Sequence, residues 1–384
     1  MTGYRVMKMI YFDNAATGGF KPFKSIDSAV SAIKNLNVNA GRSGHKLSAI
    51  ADEIVYETRQ TVANFVGASK AENVVFTANC TDALNTAIFG LYQKGCHVIT
   101  TVTEHNATLR PLYELKRRGE ISLSIVSPKS GKVKAEDVER ELKSDTKLVV
   151  VNAVSNVNGV ENDVSEIGKL LSKTDAKFIV DGAQAVGHID LDVNNQLIDA
   201  LCLAGHKGLM AIQGIGVLAL SSRADVSPTR FGGTGTDSFS KEMPDCYPER
   251  LEAGTLNLPA ICSLKSGVEY LTANASYLST QTLSLTEYLI SKLKRLPFIK
   301  LYSKPNKSGI VCFNHSDFSS QELSEILSEK YSIAVRGGYH CAPLMHKFLK
   351  TDKLGAVRVS FSIQNTRREI NALVYALEEI STLI

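Results

Sequence analysis

Between Val74 and Leu220 the chain carries short, continuous apolar runs at 74–77, 98–101, 123–126, 148–152, 178–181, 200–204 and 216–220. Val, Ile, Leu and Phe dominate them. Strands buried on both faces read this way, as in a mostly parallel sheet. Amphipathic stretches of helical period lie between several of them, at 82–92, 107–118, 135–143 and 164–173. Strand alternating with helix predicts an α/β domain with helices on both faces of its sheet.

Past Arg223 the rhythm breaks. Residues 225–257 hold Pro228, Pro244 and Pro248, with glycines at 232, 233, 235 and 254. A glycine-rich connection of this length predicts a functional loop. Helical patterns at 261–274 and 277–296 follow. Then come a strand at 310–313, a helix at 320–330, strands at 333–336 and 357–361, and a last helix at 367–380. This predicts a second, smaller α+β domain. The full length of 384 residues suits two domains at about 150 residues each.

The formal net charge is +4, too small to argue for a nucleic-acid or membrane partner. The first residues lack the apolar stretch of a signal peptide, and no run reaches the roughly 18 apolar residues of a membrane span. Seven cysteines stand at 80, 96, 202, 246, 262, 312 and 341. No two are spaced as a zinc or redox pair, so no metal is expected. The odd number and scattered spacing favour free thiols and a reducing, cytoplasmic compartment. Cys202 and Cys312 lie inside apolar runs and read as core, Cys96 and Cys262 as structural. Cys246 lies in the irregular stretch and is open.

Ligands of open α/β sheets bind beyond the carboxyl ends of the strands. After Phe76 comes Thr77-Ala78-Asn79-Cys80-Thr81-Asp82, opening a helix. Its N–H groups could take an anion, or Asn79 or Thr81 could simply cap the helix. His105 follows the next run as a base, a stacking partner or an ordinary loop residue. Asn156 follows 148–152 as an amide donor or a turn residue. Asp181 ends a buried strand, where an acid needs a partner. The alternatives there are a helix cap and a cationic ligand nitrogen, and nearby Gly182 and Gln184 favour the ligand. Lys207 ends the following run, as a surface charge or an amine held at the sheet edge. A phosphate, a protonated ring nitrogen and an aldehyde would together answer these sites, and pyridoxal 5'-phosphate has all three.

Val180-Asp181-Gly182-Ala183-Gln184-Ala185-Val186 followed by Gly205-His206-Lys207 resembles the class V aminotransferase family of pyridoxal-phosphate enzymes. The segment Arg336-Gly337-Gly338-Tyr339-His340-Cys341-Ala342 is similar to that of its group II (SUF-type) cysteine desulfurases and selenocysteine lyases. The resemblance runs from Tyr11-Phe12-Asp13-Asn14 to the final helix. It implies a fold-type I enzyme with a large mixed seven-stranded sheet domain and a smaller α+β domain. The expected division is 1–15 as a segment packing with the small domain, 16–259 as the cofactor domain and 260–384 as the small domain carrying Cys341.

The resemblance also implies the site. Lys207 would form the Schiff base and shuttle the proton, Asp181 would face the pyridinium nitrogen, and His105 would stack on the ring. Gln184 and Asn156 would bond the ring hydroxyl or the substrate carboxylate. Thr81 and His206 would hold the phosphate, with the N–H of Cys80 close by. Thr255 would reach the phosphate of a neighbouring subunit, which implies a homodimer. Arg358 would clamp the substrate carboxylate, with Arg336 near the same anion. Cys341 would accept sulfur, its thiolate favoured by Arg336 and His340 in a polar, mobile loop.

The implied reaction converts L-cysteine to L-alanine with a persulfide left on Cys341 for a reductant or a sulfur-acceptor protein. Selenocysteine lyase acting on L-selenocysteine, an aminotransferase without need of a thiol, and a non-catalytic cofactor-binding protein are the competing readings. Ala204, Gly337, Tyr339 and Leu256 depart from residues usual in the family. At 204 a serine hydroxyl on the phosphate is the usual feature.

Overall fold

The seven apolar runs all form strands of one sheet. The computed structural model describes residues 9–41, 43–129 and 131–382. In chain order the elements begin with β1 (Ile10–Tyr11), α1 (Phe23–Asn35), α2 (Lys46–Val66), β2 (Val74–Thr77), α3 (Cys80–Leu91), β3 (His97–Thr101) and α4 (Asn106–Arg117). They continue with β4 (Ser122–Val126), α5 (Ala135–Glu139), β5 (Thr146–Asn152), α6 (Val164–Leu171), β6 (Lys177–Asp181), β7 (Ala200–Ala204) and β8 (Gly216–Leu220). The remainder are α7 (Leu258–Leu293), β9 (Ile299–Leu301), β10 (Ile310–His315), α8 (Ser320–Tyr331), β11 (Ile333–Ala334), α9 (Pro343–Leu349), β12 (Val357–Ser360) and α10 (Arg367–Ser381).

The chain divides into two units. The larger holds 21–155 and 161–276, and the smaller holds the residues up to Phe20, 156–160 and those from Tyr277 onward. In the larger unit the seven-stranded sheet runs in the order β2-β8-β7-β6-β5-β3-β4. Strands β3 to β7 are parallel, and β8 runs antiparallel to both β7 and β2. Every residue of β3, β7 and β8 is buried, as continuous apolar runs require. Helix α3 starts where the Asn79 side chain accepts from the amide of Asp82. Its apolar side closes a core with Leu84, Ile88, Leu112, Leu148, Ile179 and Leu218.

In the smaller unit β12, β10 and β9 form an antiparallel sheet. Ile10 and Tyr11 pair in parallel with Ile333 and Ala334. Phe12 is buried edge-on against Phe361, with ring centroids 5.4 Å apart. Val311, Phe313, Val357, Leu373 and Leu377 complete that core.

Several expectations need correction. The patterns at 261–274 and 277–296 are one helix, α7. No proline or glycine interrupts Asn274-Ala275-Ser276, and the weak helix formers there do not stop it. The pattern at 135–143 is helical only through Glu139, and 333–336 is a strand only through Ala334. Helices α1, α2 and α9 and strands β1 and β9 escaped the sequence reading. Residues 225–257 contain no helix or strand, as the prolines and glycines foretold.

Candidate active site

The larger unit gathers an acid, a lysine and a helix start at the carboxyl ends of β6 and β7. Asp181 ends β6 and is 5% exposed. Its Oδ1 accepts the amide of Ala183 at 2.9 Å and lies 3.7 Å from the Cys80 thiol. Burial pushes the Asp181 carboxyl above its ordinary range, against the Ala183 amide, the charge of Lys207 and the thiol of Cys80. Burial, with Asp181 and Cys202 nearby, also pushes the Cys80 thiol well up, so Cys80 stays protonated.

The Asp181 and Lys207 loops are pressed together. A Cβ on Gly208 would fall 1.8 Å from the carbonyl oxygen of Val186, so only glycine fits. Gln184, His206 and Lys207 are all half-buried. Lys21 donates to the carbonyl of His206 at 2.7 Å, and burial lowers its pKa to about 8. Burial, with Lys207 and Lys21 beside it, lowers that of His206 to about 4, so His206 is neutral.

His105 caps α4, its Nδ1 accepting from the amide of Ala107 at 3.0 Å. An accepting Nδ1 carries no proton, which leaves the ring proton on Nε2. Thr81 is exposed in the first turn of α3, while the cap is Asn79. Thr255 is exposed in the irregular stretch. Just before it Glu252 forms a buried pair with Arg59, Nη1 to Oε1 at 2.8 Å and Nη2 to Oε2 at 2.5 Å.

The smaller unit gathers the other expected residues. Arg358 on β12 is 1% exposed. It donates from Nη1 to the carbonyl of Asn156 at 2.9 Å and from Nη2 to Asp13 at 2.8 Å. Its Nε is buried without a partner. Arg336 and Arg358 form a backbone bridge, with amide-to-carbonyl distances of 3.1 and 2.8 Å. Asn156 donates its side-chain amide to the carbonyl of His340 at 2.7 Å, and its Oδ1 is buried without a partner. The bond to His340 uses one of the two N–H donors of the Asn156 amide.

Cys341 is exposed at the end of this chain of contacts. Of the seven cysteines Cys246 is also exposed, and the other five are buried, including Cys202, Cys312, Cys96 and Cys262 as expected. The expectation for His340 does not hold. It is 2% exposed, and burial with the charges of Arg358, His346 and Arg336 holds its pKa well below the ordinary imidazole value. A neutral His340 brings no positive charge to Cys341.

Sequence reasoning missed Asp13, which lay inside a quoted segment but carried no spacing that tied it to Arg358. It also missed Lys21, Glu104 and His346, each of which acts through a partner far away in sequence or through burial. Among the described residues no group of three or more His, Cys, Asp or Glu is disposed to hold a metal. None of the described helices is long and apolar enough to cross a membrane.

A buried acid and a half-buried lysine at the ends of a mixed sheet define an enzyme-like α/β centre, and the comparisons give it a family. The aminotransferase class-V model matches residues 10–373, and the chain belongs to that family. It is 33% identical to a probable cysteine desulfurase of Pyrococcus abyssi, covering 97% of this chain and 94% of the relative. It is 31% identical to a probable cysteine desulfurase of Methanothermobacter thermautotrophicus, with the same two shares. The apo structure of a cysteine desulfurase from Thermococcus onnurineus NA1 superposes with a TM-score of 0.89 at 31% identity, over 98% of this chain and 95% of that one. The expected family and fold, a seven-stranded mixed α/β sheet with a smaller α+β part, are borne out.

Proposed function

We propose that the chain is a pyridoxal-phosphate-dependent cysteine desulfurase that converts L-cysteine to L-alanine and takes the sulfur on Cys341 as a persulfide. One observation carries the reading. Cys341 is an exposed thiol joined through the His340 carbonyl and Asn156 to the guanidinium of Arg358. An aminotransferase has no use for that thiol.

The residues of the larger unit fit the cofactor. Asp181 is a buried carboxylate, costly to charge alone, and a cationic ring nitrogen is the partner that relieves it. Pyridoxal phosphate, when bound, supplies an aldehyde for amine capture and a ring that withdraws electrons from the substrate Cα.

With the cofactor bound, Lys207 would anchor the aldehyde and serve as general base for the Cα proton. Asp181 would hold a proton at the ring nitrogen. His105 would pack on the ring, and Gln184 would bond the ring hydroxyl. The first turn of α3 at Cys80 and Thr81 would offer N–H groups to the phosphate, with His206 beside it. Arg358 binds the substrate carboxylate through its unpartnered Nε, with Arg336 adding positive charge. Cys341 Sγ attacks the substrate sulfur, so an S–S bond forms as the Cβ–S bond breaks, and the electron pair left on the substrate carbon takes up a proton to give alanine.

The protein works as a homodimer in which Thr255 serves the phosphate of the partner subunit. It acts in the cytoplasm. The persulfide passes to a thiol reductant or a sulfur-acceptor protein, as iron–sulfur cluster assembly requires.

The test is alanine release from L-cysteine and from L-selenocysteine with a thiol reductant present, for the wild type and Cys341→Ala. Loss of the cysteine reaction alone in the variant supports the reading. Survival of that reaction in Cys341→Ala overturns it.

A further inference from the structure

We propose that His346 is a positioning residue for Cys341, fixing through His340 the backbone corner that presents the thiol. The proposal rests on the desulfurase reading.

The corner is strained. His340 and Cys341 both adopt left-handed backbone, with φ of +49° and +56°. Such conformations cost a non-glycine residue about 1 kcal/mol or more and persist only where surrounding contacts hold them. The contacts here converge on His340. Its Nε2 lies 3.2 Å from the carbonyl of Arg336, its carbonyl takes the amide of Asn156 at 2.7 Å, and its Nδ1 lies 3.2 Å from His346 Nε2. His346 Nδ1 in turn lies 2.8 Å from Thr351 Oγ1.

Each proton in this row has one place. The Arg336 carbonyl can only accept, so His340 carries its proton on Nε2. Its Nδ1 must then accept, so His346 donates from Nε2. His346 Nδ1 accepts from the Thr351 hydroxyl. Both imidazoles are neutral, lowered chiefly by burial. The two rings stack with centroids 5.4 Å apart and 23° between planes, and Tyr339 meets His346 edge-on at 5.6 Å. His346 is fully buried on α9. It therefore grips the two residues that precede Cys341 and touches neither substrate nor cofactor in its assigned role.

Attack on a sulfur needs Sγ in line with the breaking Cβ–S bond. Misplacing a reacting atom by about 1 Å can cost about 10²-fold in rate. Releasing the row should therefore lower kcat and leave KM.

The test uses holoenzyme of His346→Phe, which keeps the ring stack without the N–H, and of Thr351→Val, which removes only the hydroxyl. Thr351→Ser is the rescue. Two quantities are measured: kcat and KM for alanine release from L-cysteine, and the iodoacetamide labelling rate of Cys341 without substrate, by peptide mass spectrometry. Exposed Cys246 in the same digest is the internal standard. The expected result for His346→Phe and Thr351→Val is kcat lower by about tenfold or more, KM within about twofold, and Cys341 labelling several-fold faster relative to Cys246. Thr351→Ser should restore both.

Wild-type kcat and labelling in both variants would overturn the proposal, as would a Thr351→Ser enzyme no better than Thr351→Val. If His346→Phe does not fold, Thr351→Val and Thr351→Ser decide. A wild type that releases no alanine would sink the desulfurase reading instead, and the labelling rates would still judge His346.

Discussion

Arg358 Nη2 and Asp13 Oδ1 form an ion pair at 2.8 Å in which the guanidinium is buried and the carboxylate keeps some contact with solvent. The pair ties β12 to the segment after β1. It also presets the charge balance of a guanidinium assigned to a substrate carboxylate. In that role Asp13 would compete with the carboxylate for the same positive charge. Asp13→Asn keeps an acceptor oxygen but removes the competition. The expected outcome is a lower KM for L-cysteine, together with about 1–3 kcal/mol less stability, measured by kinetics and urea unfolding.

Arg358→Lys should do the opposite to KM. A lysine ammonium is a point charge and cannot hold the Asn156 carbonyl and Asp13 with a fixed fork. KM for L-cysteine should rise by about tenfold or more, with a smaller loss in kcat. Steady-state alanine release at varied L-cysteine checks this. An unchanged KM would remove Arg358 from substrate binding.

Glu104 predicts a pH dependence of stability. Burial pushes its carboxyl up to about 8, with the charge of Asp181 adding to the rise. Its Oε1 accepts from Thr101 at 2.7 Å and from the amide of Asn152 at 2.9 Å, while Oε2 is buried without a partner. An acid whose pKa is higher folded than unfolded binds its proton more tightly in the native state. Its unfavourable contribution therefore grows as pH rises from about 4.5, the unfolded value, to about 8 and is constant above. At about 1.4 kcal/mol per unit the ceiling is several kcal/mol. Glu104→Gln keeps the acceptor and cannot ionise, so it should be more stable than the wild type at pH 8 and close to it at pH 5. Thermal melts across that range check it, and parallel pH profiles for the two proteins would refute it.

Much of this was legible in the sequence, for physical reasons that can be named. The strands at 74–77, 200–204 and 216–220 were read to the residue because a fully buried strand must be a continuous apolar run. Asp181 and Lys207 stood out because a charge at the end of such a run is expensive. Helices α1 and α2 did not stand out. Their surfaces keep Phe23, Ile33, Leu47 and Tyr56 exposed, which blurs the apolar face that a periodic reading needs. His340 was misjudged because polarity in a glycine-bearing segment reads as exposure. Its burial depends on His346 and Asn156, and only the folded chain supplies both. Asp13 was invisible as a partner because its ion pair spans nearly the whole chain.

The Arg59–Glu252 pair should be structural. It is buried on both sides, and Arg59 also donates to the carbonyl of Val74 at 2.5 Å while Glu252 accepts the amide of Phe76 at 2.5 Å. Arg59→Met leaves a buried carboxylate without its counter-charge and should cost about 3–5 kcal/mol. Because Glu252 lies near Thr255, the loss should also loosen the end of the irregular stretch. Adding Glu252→Gln to Arg59→Met should recover part of the stability. Urea denaturation of both single variants and the double variant measures that coupling.

Gly208 sets how closely the Lys207 loop approaches the Asp181 loop. Its Cα faces the Val186 carbonyl so closely that a methyl would fall 1.8 Å from the oxygen. Gly208→Ala must push backbone against backbone, since no flexible side chain stands there to yield. The strain should cost about 1–3 kcal/mol of stability. The same displacement should pull Lys207 away from the electrostatic reach of Asp181, which now lowers the carboxyl's pKa. The variant should therefore fold but hold pyridoxal phosphate more weakly. Fluorescence titration with the cofactor, run beside thermal melts of the cofactor-free protein, separates the two effects. A melt and a binding curve both identical to those of the wild type would show that the two loops tolerate separation.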